Sequence, residues 1–444
     1  NVFLWSDKMK RDLGNILESW VKSNNRKPLI LRGARQVGKS WLVRELGKAF
    51  KYFVEVNFDK RSEFEEFFKM TKDPQELVEL LSNYTGVKII PGETLLFLDE
   101  IQNCPEAISS LRYFFEEMPE LHVVAAGSLL EFELRKISLP VGRIQFLYVY
   151  PLSFGEFLCA VGREDLREML INNQLNPIPL PIDRMLKEFV RIYTITGGMP
   201  EVVKTYIESK DLHECQNNQA DILQTYRRDF HKYAKKHQIK YLEKLFTTLS
   251  LQTGRKFKYS EVDPAIKSIT LSDSLDLLCS AGIVRKIYHS SSNGIPISAE
   301  TDLKKFKIVF FDIGLMLNLI NFDFKPLLLD PDIAFINNGV LAEQFVAQNL
   351  VAYSNPRREA QLFYWHRESR SSNAEVDYVI EFNNKVVPIE VKSDTKGAMK
   401  SMKIFMESKN CDFGLKISSY PYSLNDSVQS IPFYGMEAFL KSQK

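Results

Sequence analysis

Eight residues from Gly33 to Ser40, GARQVGKS, carry the spacing G-x-x-x-x-G-K-[ST]. A glycine-rich turn that opens a helix exposes backbone N–H groups, and the helix dipole adds positive potential, so phosphate oxygens bind there. Gly33, Ala34, Arg35, Gln36, Val37, Gly38, Lys39, Ser40 and Trp41 would frame such an anion. Lys39 would reach the outer phosphates, and the Ser40 hydroxyl would coordinate Mg2+. A second chemical feature is TLLFLDE, residues 94–100, an apolar run that ends in two acids. Asp99 would hold Mg2+ through water, while Glu100 would polarise an attacking water. Hydrolysis of a triphosphate such as ATP needs that division of labour.

A third set lies in AEVDYVIEFNNKVVPIEVKS, residues 374–393. Asn383-Asn384 reads as a two-residue turn, because Asn tolerates the positive φ that tight hairpins demand. Counting back from it pairs Phe382 with Lys385, Ile380 with Val387, Tyr378 with Ile389 and Val376 with Val391. The other face then sets Asp377 against Glu390 and Glu375 against Lys392. Like charges directly opposite destabilise a sheet unless a cation lies between them, which a second Mg2+ or Mn2+ would supply. Asp377, Glu390 and Lys392 follow D-x(n)-E-x-K, the pattern of the PD-(D/E)xK nuclease fold, with Val376 in place of the usual proline. Lys392 would orient or activate a water that attacks a phosphodiester. Glu343, in GVLAEQFVAQNL, matches the acid such folds often add. The competing reading is a solvated polar face.

Elements must place these groups. PLILRG, YFVEVNF, TLLFLDE, HVVAAGS and IQFLYVYPL alternate with helical stretches between residues 29 and 150, which argues for a parallel α/β sheet. An amphipathic helix over 7–24 precedes it. After Pro151 the pattern turns helical, through KEFVRIYTITGGMPEVVKTYIES to the basic run RRDFHKYAKKH. Shorter helices and two strand-like segments follow up to 320, LDPDIAF reads as a linker, and a helix with strands completes the chain.

The run from RGARQVGKS through FLDEIQ, AAGS and YPLSFGEFL to GGMPEVV resembles a large prokaryotic family of AAA-type ATPases with a C-terminal domain of uncharacterised function. The resemblance covers nearly the whole chain. It implies an ATP-binding domain over 1–150, a helical lid over 151–238, a winged-helix-like segment over 239–330 and a nuclease-like domain over 331–444. Ser128, closing AAGS, resembles the sensor position that contacts the γ-phosphate or the water. Arg143 resembles an arginine that completes the site of a second copy in a homo-oligomer.

Composition narrows the partners. A net charge of +2 supplies no global field for nucleic acid, so binding DNA would need a local patch. The helix expected at the recognition position of the winged-helix-like segment carries Asp273 and Asp276 and no Lys or Arg, the wrong sign for phosphates. DNA and another protein therefore stand as alternative partners of the C-terminal module. Five scattered cysteines with no CxxC pair fit a reducing compartment, and neither a membrane span nor a signal core is visible, so a cytoplasmic protein is expected.

Overall fold

The computed structural model describes residues 9–134, 142–173, 175–326, 339–367, 374–392, 399–425 and 427–442. The expected linker LDPDIAF lies outside them. The chain divides into two units. One holds Asn1–Tyr150 with Ser280–Gly282 and Asn355–Glu359; the other holds Pro151–Cys279, Ile283–Ser354 and Ala360–Lys444.

The first unit is built on five parallel strands: β1 Leu29–Arg32, β2 Tyr52–Asn57, β3 Thr94–Asp99, β4 His122–Ala126 and β5 Gln145–Tyr148. Their order is β2-β3-β4-β1-β5. Strands covered on both faces are mostly apolar, and β3 and β4 are buried at every residue, with polar groups only at Thr94, Asp99 and His122. Edge strand β2 instead alternates. Phe64, Phe68, Leu77, Leu81, Ile108, Leu111 and Phe114 from flanking helices pack against Val54, Val56, Leu96, Leu98 and Val123. Each fully buried side chain of this size contributes about 1.5–3 kcal/mol. Register places the site: Asn57 lies beside Asp99, Asp99 beside Ala126, and Ala126 beside Leu31. The carboxyl ends of β2, β3, β4 and β1 are therefore level along one edge, where open parallel sheets bind ligands.

The second unit carries an eight-stranded sheet. Its strands are β6 Val284–Ser290, β7 Thr301–Phe310, β8 Leu362–His366, β9 Glu375–Phe382, β10 Lys385–Val391, β11 Gly414–Ser418, β12 Ser423–Asn425 and β13 Val428–Pro432. The order is β12-β13-β11-β10-β9-β8-β6-β7. Asn383 and Asn384 make the β9–β10 turn at φ 48° and 60°, and the pairs Phe382–Lys385, Ile380–Val387 and Tyr378–Ile389 form.

A boundary near residue 330 was expected to separate a winged-helix-like segment from a C-terminal domain. The sheet spans that position: the β6–β7 hairpin of the earlier segment is sheet partner to the later one, with Ile287, Tyr288 and His289 beside Leu362, Phe363 and Tyr364. The physical reason is that β6 has two edges and β7 satisfies only one. The ladder groups of the other edge are paired by β8.

Helices also surround a buried polar knot that explains the GGMPE and YPLSF runs. Leu152 N–H donates to Gly198 O at 2.7 Å, and Tyr193 Oη donates to Leu152 O at 2.5 Å. The Asp312 carboxylate accepts from Gly198 N at 2.6 Å and Leu315 N at 3.0 Å. Gly197 has φ +70°, and a Cβ on it would sit 2.1 Å from Asp312 Oδ1. Only glycine fits.

Candidate nucleotide site and a second acidic cluster

Gly33 and Gly38 shape the loop that follows β1. Gly33 has φ +142°, and a Cβ there would lie 2.1 Å from Val149 O. Gly38, at φ 96° and ψ 19°, caps the helix Lys39–Gly47 in a left-handed conformation that side chains resist. Buried Arg11 braces the loop from outside the motif by donating to Val37 O at 3.0 Å and Tyr150 O at 2.7 Å.

Lys39 is buried, and its Nζ donates to Gly33 O at 2.9 Å and Ala34 O at 2.7 Å. Burial lowers its ammonium to about 8, against the opposing pull of Glu100 and Asp99. The Ser40 hydroxyl lies 3.1 Å from both oxygens of Asp99. Asn57 Nδ2 donates to Asp99 Oδ2 at 3.1 Å. Burial first, then the neighbouring Glu100 charge, raises the Asp99 carboxyl above its ordinary range. The oxygen donors of Ser40 and Asp99 are those a hard divalent cation prefers, so the residues present fit Mg2+. Trp41 is half-buried at the start of the helix.

Glu100 leaves the strand at φ 52° and ψ 43°, a left-handed conformation that costs a non-glycine residue about 1 kcal/mol or more. That turn sends its carboxylate toward the next strand end. Oε2 accepts from Ser128 Oγ at 3.1 Å and from Gln102 Nε2 at 2.5 Å. A Cβ on Gly127 would lie 2.1 Å from Gln102 Oε1, so the glycine of AAGS makes room for the glutamine. The structure thus brings Lys39, Ser40, Asp99, Glu100 and Ser128 to one sheet edge. It adds Asn57 and Gln102, which the motif did not single out, although Gln102 closes the quoted FLDEIQ. Arg143 is not drawn to these groups: it is half-exposed and donates to Glu116 Oε1 at 2.8 Å.

The second unit assembles the other expected set. Asp377 Oδ2 accepts from Val391 N at 2.8 Å, and Lys392 Nζ lies 2.5 Å from Glu390 Oε1. Sequence reasoning missed one member. Lys307 of β7, about 1% exposed, places its Nζ 2.6 Å from Glu375 Oε1 and 3.7 Å from Glu343 Oε2. Burial, then the Asp377 charge, pushes the Glu343 carboxyl well above its ordinary range. Burial lowers the Lys307 ammonium, but Glu343, Asp377 and Glu375 together hold it above its usual value. The structure lends no support to the expected cation between Asp377 and Glu390. Among the described residues no three His, Cys, Asp or Glu side chains are disposed to hold a metal, and lysines stand at the carboxylates instead.

Comparison with known proteins follows this division. Residues 25–158 match the model of an AAA domain. Residues 187–325 and 338–436 match two domains of unknown function, DUF8612 and DUF4143. No curated protein matches the chain. Among solved structures, a Walker-type ATPase of Pyrococcus abyssi is 16% identical over 72% of this chain and 96% of its own, with a TM-score of 0.43. The Aeropyrum pernix ORC1 protein, solved in complex with DNA, is 13% identical over 71% and 92%, with a TM-score of 0.27. Likenesses that weak carry no argument. The family match, the phosphate loop and the level strand ends agree with one another in likening residues 25–158 to an AAA domain.

Proposed function

We propose that the chain binds ATP with Mg2+ at the β1 loop, hydrolyses it, and passes the cycle to the second unit. The observation that carries this reading is the meeting of Glu100, Ser128 and Gln102 beside Ser40 and Asp99. The loop amides and Lys39 bind the triphosphate. Lys39 exchanges the carbonyls of Gly33 and Ala34 for phosphate oxygens, a stronger charge-assisted pairing. Ser40 and Asp99 would hold Mg2+, which when bound neutralises phosphate charge. Ser128 and Gln102 fix one oxygen of Glu100, so that the carboxylate is aimed to take a proton from the attacking water. Arg143 serves a second copy of the chain if the protein assembles. Lys39→Ala is expected to abolish nucleotide binding in equilibrium titration; wild-type affinity in that variant would sink the proposal.

For the second unit the reading is an ATP-switched device that contacts another protein. The helix Ser268–Ser280 offers Asp273 and Asp276 and no basic residue, and nearby Lys286 is drawn onto Asp276 at 2.7 Å. Part of the basic run after residue 226 is also spent internally, Arg227 on Glu243 and Lys232 on Asp229. The alternative is metal-dependent DNA cleavage through Asp377, Glu390 and Lys392, with Glu343. Nicking of DNA by the purified protein with Mg2+ or Mn2+, lost in Asp377→Asn, would establish that alternative.

A further inference from the structure

The D-x(n)-E-x-K hairpin raises a problem of charge. Glu343, Glu375, Asp377 and Glu390 come from one helix and two adjacent strands, and Glu390 is only 3% exposed. Carboxylates gathered out of water repel one another and need a cation. A divalent metal is one solution. An ammonium is another, and the two differ in what they ask of the surroundings. A hard metal ion wants several oxygens converging on one point at short range. A lysine wants carboxylate oxygens within hydrogen-bond reach and an apolar path for its stem.

The geometry has the second form. Lys307 comes in along β7 with its side chain 2% exposed, over the face of Tyr364 at 5.3 Å from the ring centroid. Its ammonium is 2.6 Å from Glu375 and 3.7 Å from Glu343. Glu390 has Lys392 at one oxygen, its buried Oε2 having no hydrogen-bond partner among the described residues, and Asp377 has the Val391 amide. A lysine this buried is held only where acids compensate it, since an unpaired buried charge is costly.

We propose that Lys307 is the resident cation of this cluster, occupying the role a divalent metal would otherwise fill, so that these carboxylates bind no metal ion in the native protein. The ammonium arrives on a strand from before residue 330. It therefore joins the hairpin to β7 electrostatically as well as through the sheet. The proposal does not depend on the ATPase reading of the first unit.

The test uses the full-length chain. The loss of melting temperature caused by Glu375→Gln is expected to be larger when Lys307 is present than in a Lys307→Met background, because the carboxylate has lost its partner in the latter. Equal losses in the two backgrounds would overturn the proposal. If Lys307→Met does not fold, a second measurement leaves Lys307 in place. Nucleotide-free protein carrying Asp99→Asn, which removes the first metal site, is titrated with Mn2+ and followed by the paramagnetic signal of free ion. No ion is expected to be held at millimolar Mn2+. A bound ion that disappears on adding Asp377→Asn would contradict the assignment.

Discussion

Both units place acids at strand ends with a buried lysine close by, yet the two lysines face opposite ways. In the first unit Lys39 rests on the backbone carbonyls of Gly33 and Ala34, neutral groups it can give up. Asp99 and Glu100 meanwhile take mainly hydroxyls and amides, Ser40 and Asn57 on one and Ser128 and Gln102 on the other, with the Arg44 guanidinium farther off, 4.0 Å from Asp99 Oδ2. The charges are oriented but not cancelled. In the second unit Lys307 sits on Glu375 and near Glu343, and Lys392 sits on Glu390. There most of the charge is met by lysine, although Asp377 takes a backbone amide and Glu390 Oε2 is buried without a hydrogen-bond partner among the described residues. Acids held by neutral donors remain available to a cation and to a proton, whereas acids held by ammonium groups serve the fold. The comparison separates acids held mainly by neutral donors from acids held mainly by lysines, in two sites that share residue types.

The contrast breaks first, and most severely, at Glu100. Glu100→Gln should keep ATP bound and lower turnover about 100-fold to 10,000-fold, because an amide cannot accept the water's proton. Its melting temperature should barely move, since no ion pair is lost. Steady-state phosphate release near the wild-type rate would remove Glu100 from the reaction. Lys307→Met should show the opposite profile. It should lower stability in a denaturant melt, by less than the ~3–5 kcal/mol of a fully buried pair because the Glu375 side chain is 32% exposed, while turnover per folded molecule is retained.

A third buried acid sharpens the distinction, because Asp312 takes backbone and amide donors and no ion pair is recorded for it among the described residues. Burial raises its carboxyl from 3.8 to about 6, against the backbone bonds from Leu315 and Gly198. Between those values the folded state holds a proton that the unfolded state has released. The protein should therefore lose stability as pH rises through that window, by up to about 3 kcal/mol from this group. Asp312→Asn should flatten that part of the profile in a pH series of thermal melts. The smallest effect is expected at Gln102. Gln102→Ala leaves Glu100 to Ser128 alone and should slow turnover about tenfold, roughly 1.4 kcal/mol of barrier, with nucleotide affinity unchanged. A loss of affinity equal to the loss of rate would show that Gln102 shapes the loop rather than the carboxylate.

How much of this was legible depends on sequence distance. GARQVGKS and TLLFLDE are local patterns whose consequences are fixed within a strand and a turn, so Lys39, Ser40, Asp99 and Glu100 could be picked out directly. The Asn383-Asn384 hairpin is equally local, and the pairing counted back from it forms as far as Tyr378 and Ile389. Arg11 and Asn57 could not be found that way. Each reaches the site through the register of an element far away in the chain, and neither carries a motif. Lys307 is the clearest case. In TDLKKFKIV it is one of three lysines on a strand, and only the β6–β8 pairing brings it beneath Glu343 and Glu375. The same pairing carries the sheet across the boundary expected near 330. Among the described residues no helix is long and apolar enough to cross a membrane.

The most direct test of the contrast is the number of Mn2+ ions held per chain, measured with saturating ATP and again without nucleotide. One ion per chain with ATP, none held tightly without it, and no change on Asp377→Asn are the results expected if only the first unit leaves its acids available. A second ion that persists without nucleotide and is lost with Asp377→Asn would place a working metal site in the hairpin and contradict the account.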